Sequence, residues 1–360
     1  MRPVFKGVLR FLGALFLLGL VVLAAVGIIQ SGKTAEKTET AAAFSFDPYS
    51  ENRFTAVGRG LLVSADSGLT LFDEEGTLIF SRTVGYADPL TFSRGKTAAV
   101  WSQENSIALM VKETGETVEV GLPGSVLTGR VNGQGWGVFL GREGGSKGVA
   151  IVVKPDGQAV YRVRMGSSYP VDADLSPDSG SLALLTLQGE GCHLGVYSLN
   201  QETELRSWTG EDEIFFEAEY LGGNALLMLS TERALFLDEK CQPVSEFAFE
   251  GEFLKDYAVS EEGFIVLALG RHRNGSAARL LTLDRDGREL ASLDIQGEVE
   301  GLSAAGRWIS VLYQDRMVLY DPDLQEKGRL ENASGVQASL VREDGSAIVV
   351  AGGSASVFQP

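Results

Sequence analysis

Four residues early in the chain carry the first hint of chemistry. Ser64, Asp66, Gly68 and Thr70 stand in the alternating order S-x-D-x-G-x-T within "SADSGLTLF", and Phe72 follows two places on. A carboxylate and hydroxyls so spaced could take part in chemistry, or could simply close a tight turn. The chain has two histidines, His193 and His272, and two cysteines, Cys192 and Cys241. A hydrolytic triad or a metal centre needs an imidazole beside a nucleophile or further ligands. No CxxC pair or cysteine–histidine cluster occurs, so no zinc site, other metal or cofactor is expected. The glycine clusters "VNGQGWG" and "GREGGSKG" read as turns, because neither opens a helix after a strand as a dinucleotide site requires. "GEDEIFFEAE" (210–219) reads as a solvated acidic loop, with a cation site as the lesser reading.

Composition narrows the field. The chain has 360 residues, 44% of them hydrophobic, with 44 glycines and 10 prolines. Frequent glycine among many short apolar runs points to a turn-rich all-β protein. Net charge is −17, and the residues from Phe44 onward alone carry −20. Such a surface repels phosphate backbones, so nucleic acid is excluded as a partner.

Only the N-terminus departs from that charge. Between Arg10 and Lys33 no charged residue occurs, and the run Phe11 to Ile29 would span roughly 30 Å as a helix. Arg2, Lys6 and Arg10 precede it without an acid. The positive-inside rule then predicts a cytoplasmic segment 1–10, a retained transmembrane signal anchor at 11–30, an exposed tether at 31–42 and an extracytoplasmic domain beyond. A cleaved signal peptide is the rival reading, since "VLAAVG" offers small residues, although the apolar run is long for one.

Internal repetition decides the architecture. A strand-like run, a turn and a second alternating run recur as "LTLFDEEGTLIF", "ALMVKETGETVEV", "AIVVKPDGQAVYRV", "GVYSLNQETELRSW", "ALFLDEKCQPVSEF", "LLTLDRDGRELASL", "MVLYDPDLQEKGRL" and finally "ASVFQP". The last strand residues are Asp73, Lys112, Lys154, Ser198, Asp238, Asp284, Asp321 and Phe358, spaced between 37 and 46 residues apart. A period near 40 made only of strands marks propeller blades. The reading is an all-β, eight-bladed β-propeller over 43–360, with seven blades as the alternative. The last copy stops at a third strand, so the N-terminal strand 43–48 is expected to complete the final blade and remove an open edge.

Over these residues the chain resembles the WD40-like and quinoprotein-like propellers, and "LSPDSGSLALL" (175–185) is similar to a hairpin common there. The Trp-Asp dipeptide of WD40 blades is absent. With its apolar N-terminus, the whole chain resembles an uncharacterised family of membrane-anchored propeller proteins from Gram-positive anaerobic bacteria, which implies no activity. The stretch 64–72 also resembles the Asp-box of sialidases. Its usual tryptophan position holds Leu71, however, and it joins second and third strands instead of third and fourth, so a structural turn is expected.

In such a ring, Cys192 and Cys241 fall at turns on opposite faces, which predicts two free thiols. Ligands are expected on the face of the fourth-to-first and second-to-third loops. Tyr86, Tyr169, Trp208, Arg271 and His272 are placed there as binding candidates, because aromatics and arginine favour contact patches. The function expected is a membrane-anchored, non-enzymatic protein-binding or scaffolding module of the cell envelope, partnered by an unidentified envelope protein or peptide. The alternative is an extracellular hydrolase, glycosidase- or lactonase-like, working at the channel mouth. A redox propeller holding a quinone lacks the charged pocket and metal ligands it would need.

Overall fold

Each blade begins with short apolar runs broken by glycine or aspartate turns, and the computed structural model folds them as the period requires. It describes residues 40–48, 50–189 and 191–360. The expected anchor at 11–30, the segment 1–10 and most of the tether lie outside the described residues. Among the described residues no helix is long and apolar enough to cross a membrane. The described residues form one compact unit.

Strand β1 (Thr40–Ser45) comes first and pairs last. Blade one holds β2 (Arg53–Val57), β3 (Gly60–Ala65), β4 (Gly68–Phe72) and β5 (Leu78–Arg82). Blade two holds β6 (Leu90–Arg94), β7 (Thr97–Trp101), β8 (Ile107–Lys112) and β9 (Thr117–Gly121). Blade three holds β10 (Val126–Val131), β11 (Gly137–Gly141), β12 (Gly148–Val153) and β13 (Ala159–Met165). Blade four holds β14 (Tyr169–Leu175), β15 (Ser181–Gln188), β16 (Gly191–Ser198) and β17 (Glu204–Gly210). Blade five follows with β18 (Phe215–Tyr220), β19 (Leu226–Ser230), β20 (Arg233–Leu237) and β21 (Pro243–Ala248). Blade six has β22 (Phe253–Ser260), β23 (Phe264–Gly270), β24 (Arg279–Asp284) and β25 (Glu289–Asp294). Blade seven has β26 (Val299–Ala305), β27 (Trp308–Tyr313), β28 (Arg316–Tyr320) and β29 (Glu326–Glu331). Blade eight supplies β30 (Val336–Val341), β31 (Ala347–Ala351) and β32 (Ser354–Phe358), and β1 is its fourth strand.

Burial follows position within the blade. Second strands such as β3, β7 and β23 are buried throughout, as continuous apolar runs between neighbouring sheets must be. Outer strands β21, β25 and β29 alternate exposed and half-buried residues, because one face meets water. The eight core clusters each draw on two adjacent blades; Phe44, Leu61, Phe72, Ile348 and Val357 form the one between blades eight and one.

The period-marking aspartates act through their turns. Asp73, Asp238 and Asp284 each accept backbone N–H groups two and four residues on, at 2.7 to 3.0 Å. The residue three places after each lies in the left-handed region: Gly76, Cys241 and Gly287. Cys241 tolerates that backbone (φ 59°) with its side chain buried in the core between blades four and five. Cys192 is the second residue of β16 and belongs to the same core, yet both thiols are free. They stand at opposite ends of their third strands, one beside a second-to-third turn and one in a third-to-fourth turn.

The closing strand sits three residues earlier than the expected 43–48, and it takes in residues 40–42 of the expected tether. β1 pairs antiparallel with β32, Phe44 opposite Ala355 and Ser45 opposite Ser354. The pairing ends with the Phe46 N–H donating to the Gly353 carbonyl at 2.9 Å. Pro48 has no N–H to extend a ladder, so the chain turns there. Phe44 is fully buried and meets the Phe72 ring edge-on at 5.7 Å. Phe44→Ala is expected to lower unfolding free energy by about 3–5 kcal/mol, read by denaturant titration. An effect below about 1 kcal/mol would mean the closing strand contributes little.

Candidate functional site

The alternation of β-strands places every second residue of a first strand toward the ring axis. In β14 and β18 those places are occupied by Asp172 and Asp174, then Glu217 and Glu219, each pair separated by a buried alanine. β6 and β10 contribute Arg94 and Arg130, and β22 contributes Tyr257. All six charged groups are nearly or wholly buried.

They form two rungs. In one, Arg130 holds Asp172 with two bonds of 3.0 Å, while also donating to Glu217 and, at 3.4 Å, to Glu219. In the other, Arg94 donates to both oxygens of Asp174 at 3.1 and 3.2 Å and to Glu219. Backbone groups complete the set: Ala218 N–H donates to Asp172 and Tyr220 N–H to Asp174, both at 2.9 Å. The Tyr257 hydroxyl donates to Glu217 at 2.6 Å. Both guanidinium groups lie over the Phe92 ring, at 4.7 and 5.4 Å. The network thus ties together blades two to six. Across the channel the braces are hydroxyls: Thr55 with Thr91, and Ser310 with Ser339, each at 2.6 Å.

Four carboxylates face two arginines, so the cluster is short of positive charge. Burial pushes Asp172 and Glu219 up to about 7, against the pull of Arg130 and Arg94. The retained proton belongs to the cluster and not to either residue alone. Burial likewise raises Asp256 on the neighbouring strand.

This network forms one wall of a cavity of about 1090 Å³. The mouth is built by first-to-second hairpins (Gly58–Gly60, Glu343, Asp344) and third-to-fourth hairpins (Asp73–Glu75, Glu113). It therefore opens on the face opposite the one expected for ligands. Its rim is charged: Arg59 pairs with Glu74 and Asp344, and Lys96 pairs with Glu113. Among the described residues no group of three or more histidine, cysteine or acidic residues is arranged to hold a metal ion.

The five expected binding residues lie away from this cavity, and no hydrogen bond or ring contact joins any two of them. Tyr86 is 7% exposed; its hydroxyl donates to the Ile107 carbonyl at 2.8 Å, and burial pushes its phenol up to about 12. It packs in the core between blades one and two. Trp208 lies within β17 and not in a loop, edge-on to Phe215 at 5.4 Å. Tyr169 is exposed at the start of β14, with Lys147 above its ring and bonded to its hydroxyl at 2.8 Å. Arg271 and His272 are exposed in the loop from β23 to β24, where Lys255 donates to the His272 carbonyl. His193 is held on β16 by Glu204 and Thr209, both at 2.9 Å.

Asp66 also has a structural partner: it accepts the Asp88 N–H at 2.7 Å and fixes the entry to blade two. The sugar-cleaving reading of that stretch finds no support in this geometry. The acidic stretch 210–219 divides. Glu211 is exposed, whereas Glu217 and Glu219, expected in a solvated loop, are buried in the channel. The usable signal was D-A-D and E-A-E at matching places in successive first strands.

Arg130→Met would leave three buried carboxylates short of a partner, and is expected to cost about 3–5 kcal/mol. The proton count sets a pH trend. Asp172 and Glu219 hold protons in the folded chain up to about 7, whereas unfolded carboxyls release them near about 4. Their contribution to stability is full below that window and is lost as pH rises through about 7. The melting temperature should be higher at about pH 5.5 than at about pH 8, and Asp172→Asn should flatten the difference. A rise in melting temperature over that interval in the unaltered chain would contradict the shared proton.

Solved structures agree on the fold. The C-terminal WD40 domain of Sif2 matches with a TM-score of 0.61 at 12% identity, covering 90% of this chain and 98% of that one. Dihydro-heme d1 dehydrogenase NirN in complex with DHE matches at 0.57 and 13%, covering 88% and 76%. Apo AztD from Citrobacter koseri matches at 0.54 and 12%, covering 79% and 86%. One of these is an enzyme, so the shared architecture does not by itself decide function. A search of the curated proteins found no match. Residues 31–351 match the model described as "Family of unknown function (DUF5711)", and the chain belongs to that family.

Proposed function

We propose that this chain is a non-enzymatic binding and scaffolding module, held at the membrane by residues 11–30 and displayed outside the cell. On this reading an envelope protein or peptide docks at the channel mouth. One observation carries it: a cavity of about 1090 Å³ opens through a charged rim, while its buried acids are bonded to Arg94, Arg130, Tyr257 or backbone N–H groups. A general acid or base must reach its substrate, and these carboxylates are spent on holding blades together. Propellers of WD40 type, which this fold resembles, are commonly interaction scaffolds. The address rests on the uncharged run between Arg10 and Lys33 and on the basic residues before it.

The hydrolase reading keeps one supporting observation, since Asp172 and Glu219 titrate close to neutrality. Two experiments separate the readings. A photo-crosslinker placed at Lys96 in the native host is expected to trap one predominant envelope partner. Absence of any adduct, together with turnover of a glycan or lactone panel that Asp172→Asn abolishes, would establish the hydrolase instead. The address has its own assay. Cys192 and Cys241 are buried, so the unaltered chain should resist a membrane-impermeant maleimide. Lys240→Cys, at an exposed turn, is expected to be labelled on intact cells. Labelling only after lysis would place the propeller inside.

A further inference from the structure

Arg342 follows β30 directly, lines the channel and is 4% exposed. Arg130 is buried almost as deeply but is surrounded by Asp172, Glu217 and Glu219. Arg342 has no such company. Its Nε and Nη2 are buried and meet no hydrogen-bond partner among the described residues. The acids nearest to it are committed elsewhere. Arg59 takes Glu74 at 2.7 Å and Asp344 at 2.8 Å, and the second oxygen of Asp344 accepts from the Ser346 hydroxyl at 2.6 Å.

Comparison with other blades sharpens the anomaly. The backbone bond from Arg342 N–H to the Ser346 carbonyl is repeated by Asn132 to Trp136 and by Ser176 to Ser181. At that shared hairpin position Asn132 donates to the Ser176 carbonyl of the next blade, and Ser176 accepts the Gly180 and Ser181 N–H groups. A short polar side chain there completes the hairpin. Arginine at the same place leaves a cation on the channel wall whose Nε and Nη2 have no hydrogen-bond partner, and Asp344 and Glu74 act on it only through space. A buried, unpaired charge is among the costliest groups a fold can hold, and burial accordingly depresses the Arg342 pKa.

We propose that Arg342 anchors a carboxylate-binding subsite in the channel, and that its ligand is a chain end bearing one carboxylate on an uncharged or cationic body. The inference rests on reading the channel as a binding site. A planar guanidinium matches a carboxylate through two parallel bonds. Polyanions are disfavoured, because Glu74, Glu343 and Asp344 stand on the same wall. Phe54, Phe92 and Leu340 offer apolar surface to the body of the ligand. The same chemistry is offered by a small zwitterionic peptide and by the C-terminus of a protein.

The test uses the full-length chain in detergent, titrated calorimetrically with alanyl-phenylalanine, its N-acetyl form, its C-terminal amide and inorganic phosphate. At least one free acid is expected to bind, and the amide and phosphate are expected not to. Arg342→Gln should weaken that binding at least about tenfold, the loss of one charge-assisted pair, and Arg342→Lys should restore part of it. Arg342→Met should melt no lower than the unaltered chain, since it removes an unpaired buried charge, and should no longer respond to the acid. Binding of the N-acetyl acid identifies a protein terminus as an acceptable source, whereas binding of the free dipeptide alone identifies a small zwitterion. Equal binding of acid and amide, tighter binding of phosphate, unchanged binding by Arg342→Gln or no binding of either acid would overturn the proposal. If the Lys96 crosslink forms normally in Arg342→Gln while no acid binds, this subsite falls and the scaffold reading stands.

Discussion

A ring of sheets must close on itself, and in this protein the closure depends on one antiparallel pairing between the two ends of the domain. β1 reaches back to β32, so the first described residues and the last share a sheet. Without that pairing blade eight would expose an unpaired strand edge, and such an edge recruits other chains. Phe44 anchors the join by filling the space between blades eight and one. Contacts between far-apart segments of this kind are slow to form because the loop they close is nearly the whole chain. Once made, they hold every other blade in register.

The axis of the ring carries the second constraint. First strands converge there around the cavity, and most of the charge they bury there is paired. On the side of blades two to six the chain uses arginine, aspartate and glutamate; on the other side it uses serine and threonine hydroxyls. Buried ion networks add little net stability compared with apolar packing, but each member becomes indispensable once the others are present. The network therefore links five consecutive blades through side chains at the axis. It also leaves the channel with an acidic wall and, opposite, one arginine that the network does not reach.

Fold and site were unequally legible. Strand periodicity showed the blades because second strands are buried on both faces and turns need aspartate or glycine, both local demands. The surroundings of the binding candidates were less legible, for the opposite reason. Tyr86 was assigned to a loop, but whether a loop aromatic faces solvent or folds back between blades depends on the neighbouring sheet. Trp208 was placed at a turn, and the strand simply ran on through it. Glu217 and Glu219 looked like part of an acidic loop because a carboxylate is ordinarily solvated. Arg94 and Arg130, more than 85 residues away for Glu219, together with Tyr257 for Glu217, make their burial tolerable.

The sequence by itself determined the class of fold, the repeat of about 40 residues, the need for a closing strand and the separation of the two cysteines. Each follows from alternation, turn chemistry and counting, which act between residues close in the chain. "SADSGLTLF" belongs here, since its register was readable even though its chemistry was not. The tertiary structure alone decided which face opens into the cavity, which acids are buried and which arginine is left without a partner. Those outcomes depend on the convergence of inner strands at the axis, where residues from five blades come within hydrogen-bonding distance. D-A-D and E-A-E mark two of the strands that take part, but the partners and distances of that meeting are set by the closed ring.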